Sequence, residues 1–281
     1  LSGPKGSGKA TFAYHLINYF LSKNEEYAYD NNNYTINKKN LTFKNINNST
    51  HHNFFLINSQ NSGDEIKVEK IRELLLFLNK TTYSQNIKFV IIDDVENLNL
   101  NSSNALLKAI EEPNSNTFFF LIHNSSAKII DTIKSRCVQF NFFFNEVDKT
   151  NIFYKLADKY DLVLPSNKFI KNLFFDTPGN ILKYSLFFDY VKENPIENNF
   201  INYVKLVDIF KKNKNPEILL YISLSIEIFY NEIVKHKNNN INLSFYNYNK
   251  ILKQLNDMKK FYLDDKAVLF WIKDILKSET K

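Results

Sequence analysis

Gly3-Pro4-Lys5-Gly6-Ser7-Gly8-Lys9-Ala10 fits the phosphate-binding pattern G-x-x-x-x-G-K, with alanine where serine or threonine ordinarily follows. Three of the chain's five glycines fall in these eight residues. Glycine is needed there because backbone N–H groups must turn inward around phosphate oxygens, with Lys9 reaching the outer phosphates. Gly3, Gly6, Gly8 and Lys9 are therefore candidate nucleotide ligands. The hydroxyl that would hold Mg²⁺ is missing at Ala10, and phosphoryl transfer depends heavily on that ion. Thr11 carries a hydroxyl and joins the candidates, although one helical step turns its side chain about 100° away.

Working outward, the residues from Lys9 to Leu21 read as the helix leaving the loop, with Phe12, Leu16, Ile17 and Phe20 on one face. A phosphate-binding loop ordinarily follows a buried strand, yet only Leu1 and Ser2 precede Gly3. A further strand and helix are therefore expected before Leu1, outside the sequence given. Residues 29–50 are rich in asparagine and lysine and read as a surface loop or insertion. Phe54–Ile57 reads as a strand and Val68–Leu78 as a helix.

Lys88-Phe89-Val90-Ile91-Ile92-Asp93-Asp94 is a continuous β-rich run ending in acid. A parallel strand covered on both faces delivers carboxylates to its C-terminal edge in this way. Asp93 is the candidate metal-organising aspartate. The next position usually offers a glutamate that orients a water, and Asp94 is one methylene shorter. Ser102–Glu112 reads as a helix capped near Asn101 or Ser102 and stopped by Pro113, and Thr117–Ile122 as a strand. Alternating strands and helices behind such a loop predict an α/β domain with a parallel sheet. Beyond about residue 144 strand signals fade. Helices are expected over 146–190, interrupted at Asp176-Thr177-Pro178-Gly179, and again from Phe200 to Lys281.

Of 36 basic residues only Arg72 and Arg136 are arginine. A rigid guanidinium fork matches phosphate or carboxylate in a way that an ammonium does not. Arg136, in Ser135-Arg136-Cys137, suits an arginine aimed at a phosphate, with a structural salt bridge as the other reading. Arg72 lies beside Glu69 and Glu73, where a salt bridge is favoured. Cys137 is the single cysteine, which excludes a disulfide framework and a four-cysteine zinc site. It reads as buried packing, and His51 and His52 read as loop residues. A net charge of +6 permits contact with nucleic acid, but no basic stripe or reading helix marks a DNA-binding module. No run approaches the length of a membrane span, so a soluble cytoplasmic protein is expected.

Lys9-Ala10-Thr11, Ile92-Asp93, Asn104-Ala105-Leu106-Leu107-Lys108 with Glu111-Glu112-Pro113, and Thr132-Ile133-Lys134-Ser135-Arg136-Cys137 together resemble the AAA+ subunits of the bacterial DNA polymerase III clamp loader. The strong likeness covers residues 1–143. It implies an AAA+ P-loop parallel-sheet domain over 1–143, a small helical lid over 144–198 and an all-α collar for oligomerisation over 199–281. Within that family a motor branch (gamma or tau) hydrolyses ATP, and a delta-prime branch does not. Here Ala10 and Asp94 depart from the motor pattern, and Gly179 in Thr177-Pro178-Gly179-Asn180 stands where a sensor arginine is usual. Ser135-Arg136-Cys137 is kept.

The resemblance therefore points to delta-prime, with Arg136 acting in trans on a neighbour's ATP. Lys9 then either holds ATP or ADP without turnover or is a relic in an empty loop, and no metal is expected. The implied partners are gamma/tau and delta subunits in a hetero-oligomeric ring, with the sliding clamp and primed DNA reached through the complex. An active AAA+ ATPase is the alternative, kept alive by Lys9 and Asp93.

Overall fold

A computed structural model describes residues 1–59, 65–80, 87–114, 116–162, 176–190, 199–236, 241–261 and 263–279. The chain divides into two compact units, Leu1–Asn145 and Glu146–Lys281.

In the first unit, β1 (Ser2–Gly3) runs through the glycine-rich loop into α1 (Lys9–Leu21), followed by α2 (Leu41–Asn47) and β2 (Phe54–Ile57). Then come α3 (Val68–Asn79), β3 (Lys88–Ile92), a 3₁₀ turn over Val95–Asn97 and α4 (Leu100–Glu111). β4 (Thr117–Leu121), β5 (His123–Asn124) and α5 (Asp131–Lys134) follow. Every ladder is parallel: β2-β3-β4 form one set and β1-β5 another. Leu1 links the two, its amino group donating to Leu121 O and its carbonyl accepting from His123 N. On the far side of β1, Ser2 N donates to Phe140 O and Phe142 N to Ser2 O.

The run Lys88–Ile92 is buried at every position because it feeds two cores. Val90 and Ile92 pack with Ile71 and Leu74 of α3 and Leu106 of α4. Phe89 and Ile91 point to the other face, against Ala13, Ile17 and Leu21 of α1. Side chains alternating across a strand covered on both sides give this arrangement.

Three local readings are corrected. Residues 29–50 are more than a surface loop, since α2 forms within them. The Glu25 carboxylate accepts from Leu41 N and Thr42 N, and Asn40 Oδ1 from Phe43 N. Buried Asn18 and Asn40 also exchange amide hydrogen bonds. Polar residues here satisfy the orphan N–H groups of a helix start instead of facing water. On α1 the face is rotated: Ala13, Ile17 and Leu21 are buried, while Phe12 and Phe20 are exposed. Asn18, paired with Asn40, takes an interior position. Finally, α4 starts two residues early, capped by Asn99, whose side chain accepts from Ser102 N at 2.9 Å.

The second unit is helical: α6 (Glu146–Lys159), α7 (Pro178–Tyr190), α8 (Asn199–Asn213), α9 (Pro216–His236), α10 (Ile241–Phe261) and α11 (Asp265–Glu279). Pro178 sits in the first turn of α7, where its missing N–H costs nothing, and Asp176 Oδ1 accepts from Thr177 N. One core joins Phe153 and Ala157 of α6 to Tyr184, Tyr203, Ile222, Ile251 and Ile272 on the helices that follow. Expected helical structure over 163–175 and the lid-to-collar boundary near 198 lie outside the described residues.

Candidate functional site

The loop is held by its own polar groups. Gly6 and Gly8 both take φ of +83°, a left-handed conformation that L side chains adopt at a cost. A Cβ on Gly3 would stand 2.8 Å from Phe142 O, so glycine is required there by close packing. Ser7 Oγ donates to Pro4 O at 2.8 Å. The Lys9 ammonium donates to Gly3 O at 2.8 Å and Pro4 O at 2.7 Å. Lys9 is only 6% exposed, and burial lowers its pKa against the opposing pull of Asp93, Glu96 and Asp94. Thr11 lies exposed on α1, beside half-buried Ala10.

Asp93 ends the strand as the sequence predicts, its N–H donating to Ile57 O at 2.8 Å. Burial raises its pKa, and the neighbouring Asp94 charge adds to this, while the Asp94 N–H and Lys9 oppose it. Asp94 turns away from the strand direction into a left-handed conformation (φ 56°, ψ 51°). Its carboxylate accepts from Ser59 Oγ at 3.3 Å. A carboxylate shortened by one methylene is thus also redirected by its backbone.

Glu96 was not anticipated. Its Oε2 accepts from Asn124 N at 3.2 Å, and its charge reaches both Lys9 and Asp93. The only signal was an acid three residues past Asp93. The His123 ring lies 3.0 Å from Ala127 O and 3.3 Å from Ser2 Oγ, and Asn124 Oδ1 accepts from Ser126 N and Oγ.

Gly3, Gly6, Gly8, Lys9 and Asp93 therefore converge on one corner. The left-handed glycines and the buried ammonium have the chemistry to receive a phosphate group. They do not supply the hydroxyl a Mg²⁺-dependent reaction needs beside Lys9. Among the described residues no group of three or more His, Cys, Asp or Glu could hold a metal ion. Among them also, no helix is long and apolar enough to cross a membrane.

Arg136 takes its partners from α4 and from the turn after α5. Ile133, 1% exposed, plugs α5 into the core shared with Leu106 and Ala109 of α4. The short helix thereby presents Arg136 at the surface. Its Nη1 donates to Thr132 O at 2.9 Å and Ser135 Oγ at 3.3 Å, and its Nη2 pairs with Glu111 Oε1 at 2.5 Å. Arg136 thus makes a salt bridge and still leaves its guanidinium exposed. Two other readings are corrected. Cys137 is exposed instead of buried, and partial burial of its thiol raises the pKa, which disfavours a nucleophile. Glu73 pairs with Lys70 at 2.9 Å, and among the described residues Arg72 forms no salt bridge with either Glu69 or Glu73. In the second unit Gly179 lies in the first turn of α7.

A model of the family described as "DNA polymerase III, delta subunit" matches residues 1–145. The DNA polymerase III subunit delta' of Pseudomonas aeruginosa is 37% identical over 90 residues, 32% of this chain and 27% of that protein. The subunit delta' of Bacillus subtilis is 35% identical over 94 residues, 34% of this chain and 28% of that protein. The DNA polymerase III subunit gamma of Buchnera aphidicola from Schizaphis graminum is 38% identical over 92 residues, 33% of this chain and 25% of that protein. The alignments thus span about a quarter of the curated relatives' length. Among solved structures, a gamma subunit-related protein from Thermotoga maritima aligns with a TM-score of 0.45 at 17% identity, covering 82% of this chain and 84% of that one.

Proposed function

Because the chain belongs to the DNA polymerase III, delta subunit family, we propose that it is a delta-prime-type clamp-loader subunit that does not hydrolyse ATP itself. In this reading it joins motor (gamma/tau) and delta subunits in a ring that loads the sliding clamp on primed DNA in the cytoplasm. Arg136 is offered to the ATP of a neighbouring motor subunit. The observation that carries the reading is the contrast between two corners of the first unit. Around Lys9 the catalytic parts are degraded, by Ala10 in sequence and by Asp94 in both length and direction. At the surface, Arg136 is kept in a chain almost devoid of arginine and directly follows a short helix anchored through Ile133.

An arginine supplied in trans to a transferring phosphoryl group stabilises the charge that builds up there, worth ~10³–10⁵ in rate. Such a subunit controls hydrolysis without performing it. Gly6, Gly8 and Lys9 would hold the phosphates of an ATP or ADP that is not turned over, and Lys9 would exchange its carbonyl partners for phosphate oxygens. Bound nucleotide would supply a fixed polyanion at that corner. In the second unit, residues 144–198 serve as a lid and 199–281 as a collar for oligomerisation.

The test is ATP hydrolysis by the chain alone and mixed with motor subunits, delta, clamp and primed DNA, as wild type and as Arg136→Lys. Silence alone, activity in the mixture and a collapse with Arg136→Lys support the reading. A second reading, an active ATPase, draws on Lys9 and Asp93 both standing in place with Glu96 close by. Hydrolysis by the isolated chain that is lost in Lys9→Ala would establish it instead.

A further inference from the structure

The guanidinium of Arg136 is tethered to its own subunit at two kinds of contact. One is the turn that carries it, through Thr132 O of α5 and Ser135 Oγ just past that helix. The other is a charge on a different element, Glu111 at the last residue of α4. Both helices are fixed in the same core, through Ile133 on one side and Leu106 and Ala109 on the other. Glu111 is therefore held within reach of Arg136 by the fold and not by a chance encounter of two mobile side chains.

We propose that Glu111 is a positioning residue that parks Arg136 against its own subunit and gives it up when a neighbour's nucleotide phosphate arrives. The inference rests on the reading of Arg136 as a trans-acting arginine. Two physical points support it. A guanidinium recognises phosphate best through two parallel N–H groups, and Glu111 already takes an Nη2 donor while Nη1 faces Thr132 and Ser135. A carboxylate left in contact would also present a negative charge to the incoming phosphate. The Glu111 contact therefore opposes the phosphate both by charge and by holding a donor, whereas the neutral contacts to Thr132 and Ser135 hold donors without adding charge repulsion.

The strength of the pair decides whether it acts as a latch or a lock. The two side chains are 36% and 44% exposed, so water and salt screen them heavily. Such a pair holds the arginine in one orientation before assembly and yields readily to a phosphate. Glu112, the neighbouring acid, is not the partner of Arg136.

The experiment is ATP hydrolysis by the reconstituted mixture of motor subunits, delta, clamp and primed DNA, measured across ATP concentrations. The variants are wild type, Glu111→Gln, Arg136→Lys and the double substitution, with melting curves of each isolated chain. Glu111→Gln is expected to lower the half-saturating ATP concentration by about two- to fivefold, the range open to an exposed pair. The saturated rate should stay unchanged, the gap should shrink as salt rises, and the double variant should show no such gain over Arg136→Lys. An unchanged or raised half-saturation value in Glu111→Gln, with Arg136→Lys still crippling hydrolysis, overturns the latch. If Arg136→Lys leaves hydrolysis intact, the trans-arginine reading itself falls. Should Glu111→Gln melt early, Glu111→Ser takes its place in the same comparison.

Discussion

The carboxyl group of Glu227, on α9, is pushed up to about 7 by burial, with the Asp176 charge adding and a hydrogen bond from Tyr248 opposing. Its folded pKa thus lies above the ordinary 4.5, so the native state binds this proton more tightly than the unfolded chain. The associated stability is fully present below about pH 4.5, is lost as pH rises toward about 7, and is flat beyond. Glu227→Gln is therefore expected to leave urea stability near the wild-type value at pH 5 and to raise it at pH 8. Equal effects at both values would refute the assignment. Gly8 offers a cleaner backbone case. A Cβ there would meet nothing within 4 Å, so Gly8→Ala should cost only the left-handed conformation, about 1–2 kcal/mol in a denaturant titration. A much larger loss would mean that the loop rearranges. Glu227 was not singled out in the sequence, because the groups that perturb it are brought together only by folding, whereas the glycines were legible from spacing alone.

At the level of elements, the parallel strands were the most readable features. Phe89–Ile92 is apolar along its length and buried throughout, as a strand covered on both faces requires. The segment around α2 was misread for a physical reason: its order comes from caps and paired amides, which leave no apolar period. Asn40 accepts from Phe43 N, exchanges hydrogen bonds with Asn18 and donates to Tyr27 O. Asn40→Ala is expected to cost about 2–3 kcal/mol, above a typical cap loss, because buried partners are left unpaired. Asn99→Ala, which removes only the cap of α4, should cost about 1 kcal/mol. Equal losses in chemical unfolding would show that the Asn18–Asn40 pair adds nothing. Lys88 is another element-level feature hidden from sequence. Its ammonium donates to Phe77 O, Leu78 O and Lys80 O and so closes the C-terminal end of α3. Lys88→Met should destabilise by about 2–3 kcal/mol, with amide exchange rising first over the last turn of α3.

Across the whole molecule, two units carry two kinds of information. The first unit was legible in fold, because its loop and acid-tipped strand sit in fixed chemical order. The second announced only helices, since apolar periodicity says where a face is buried and not against what. Its core is nevertheless continuous from Phe153 to Leu276, and the chain's single tryptophan, Trp271, packs against it with the Lys250 ammonium 5.4 Å from its ring. Phe153→Ala should therefore lower the midpoint of the Trp271 fluorescence transition, with a loss of about 3–5 kcal/mol. A midpoint unmoved by that substitution would separate α6 from this core. The buried amine that closes α3 has a last consequence for covalent labelling. An acylating reagent needs an accessible, deprotonated amine, and Lys88 is 4% exposed on a chain whose cationic surface is almost entirely lysine. Brief acylation should modify the surface amines within the native state and spare Lys88. The moment at which that one residue becomes reactive would then time the opening of the sheet domain, read by mass alone.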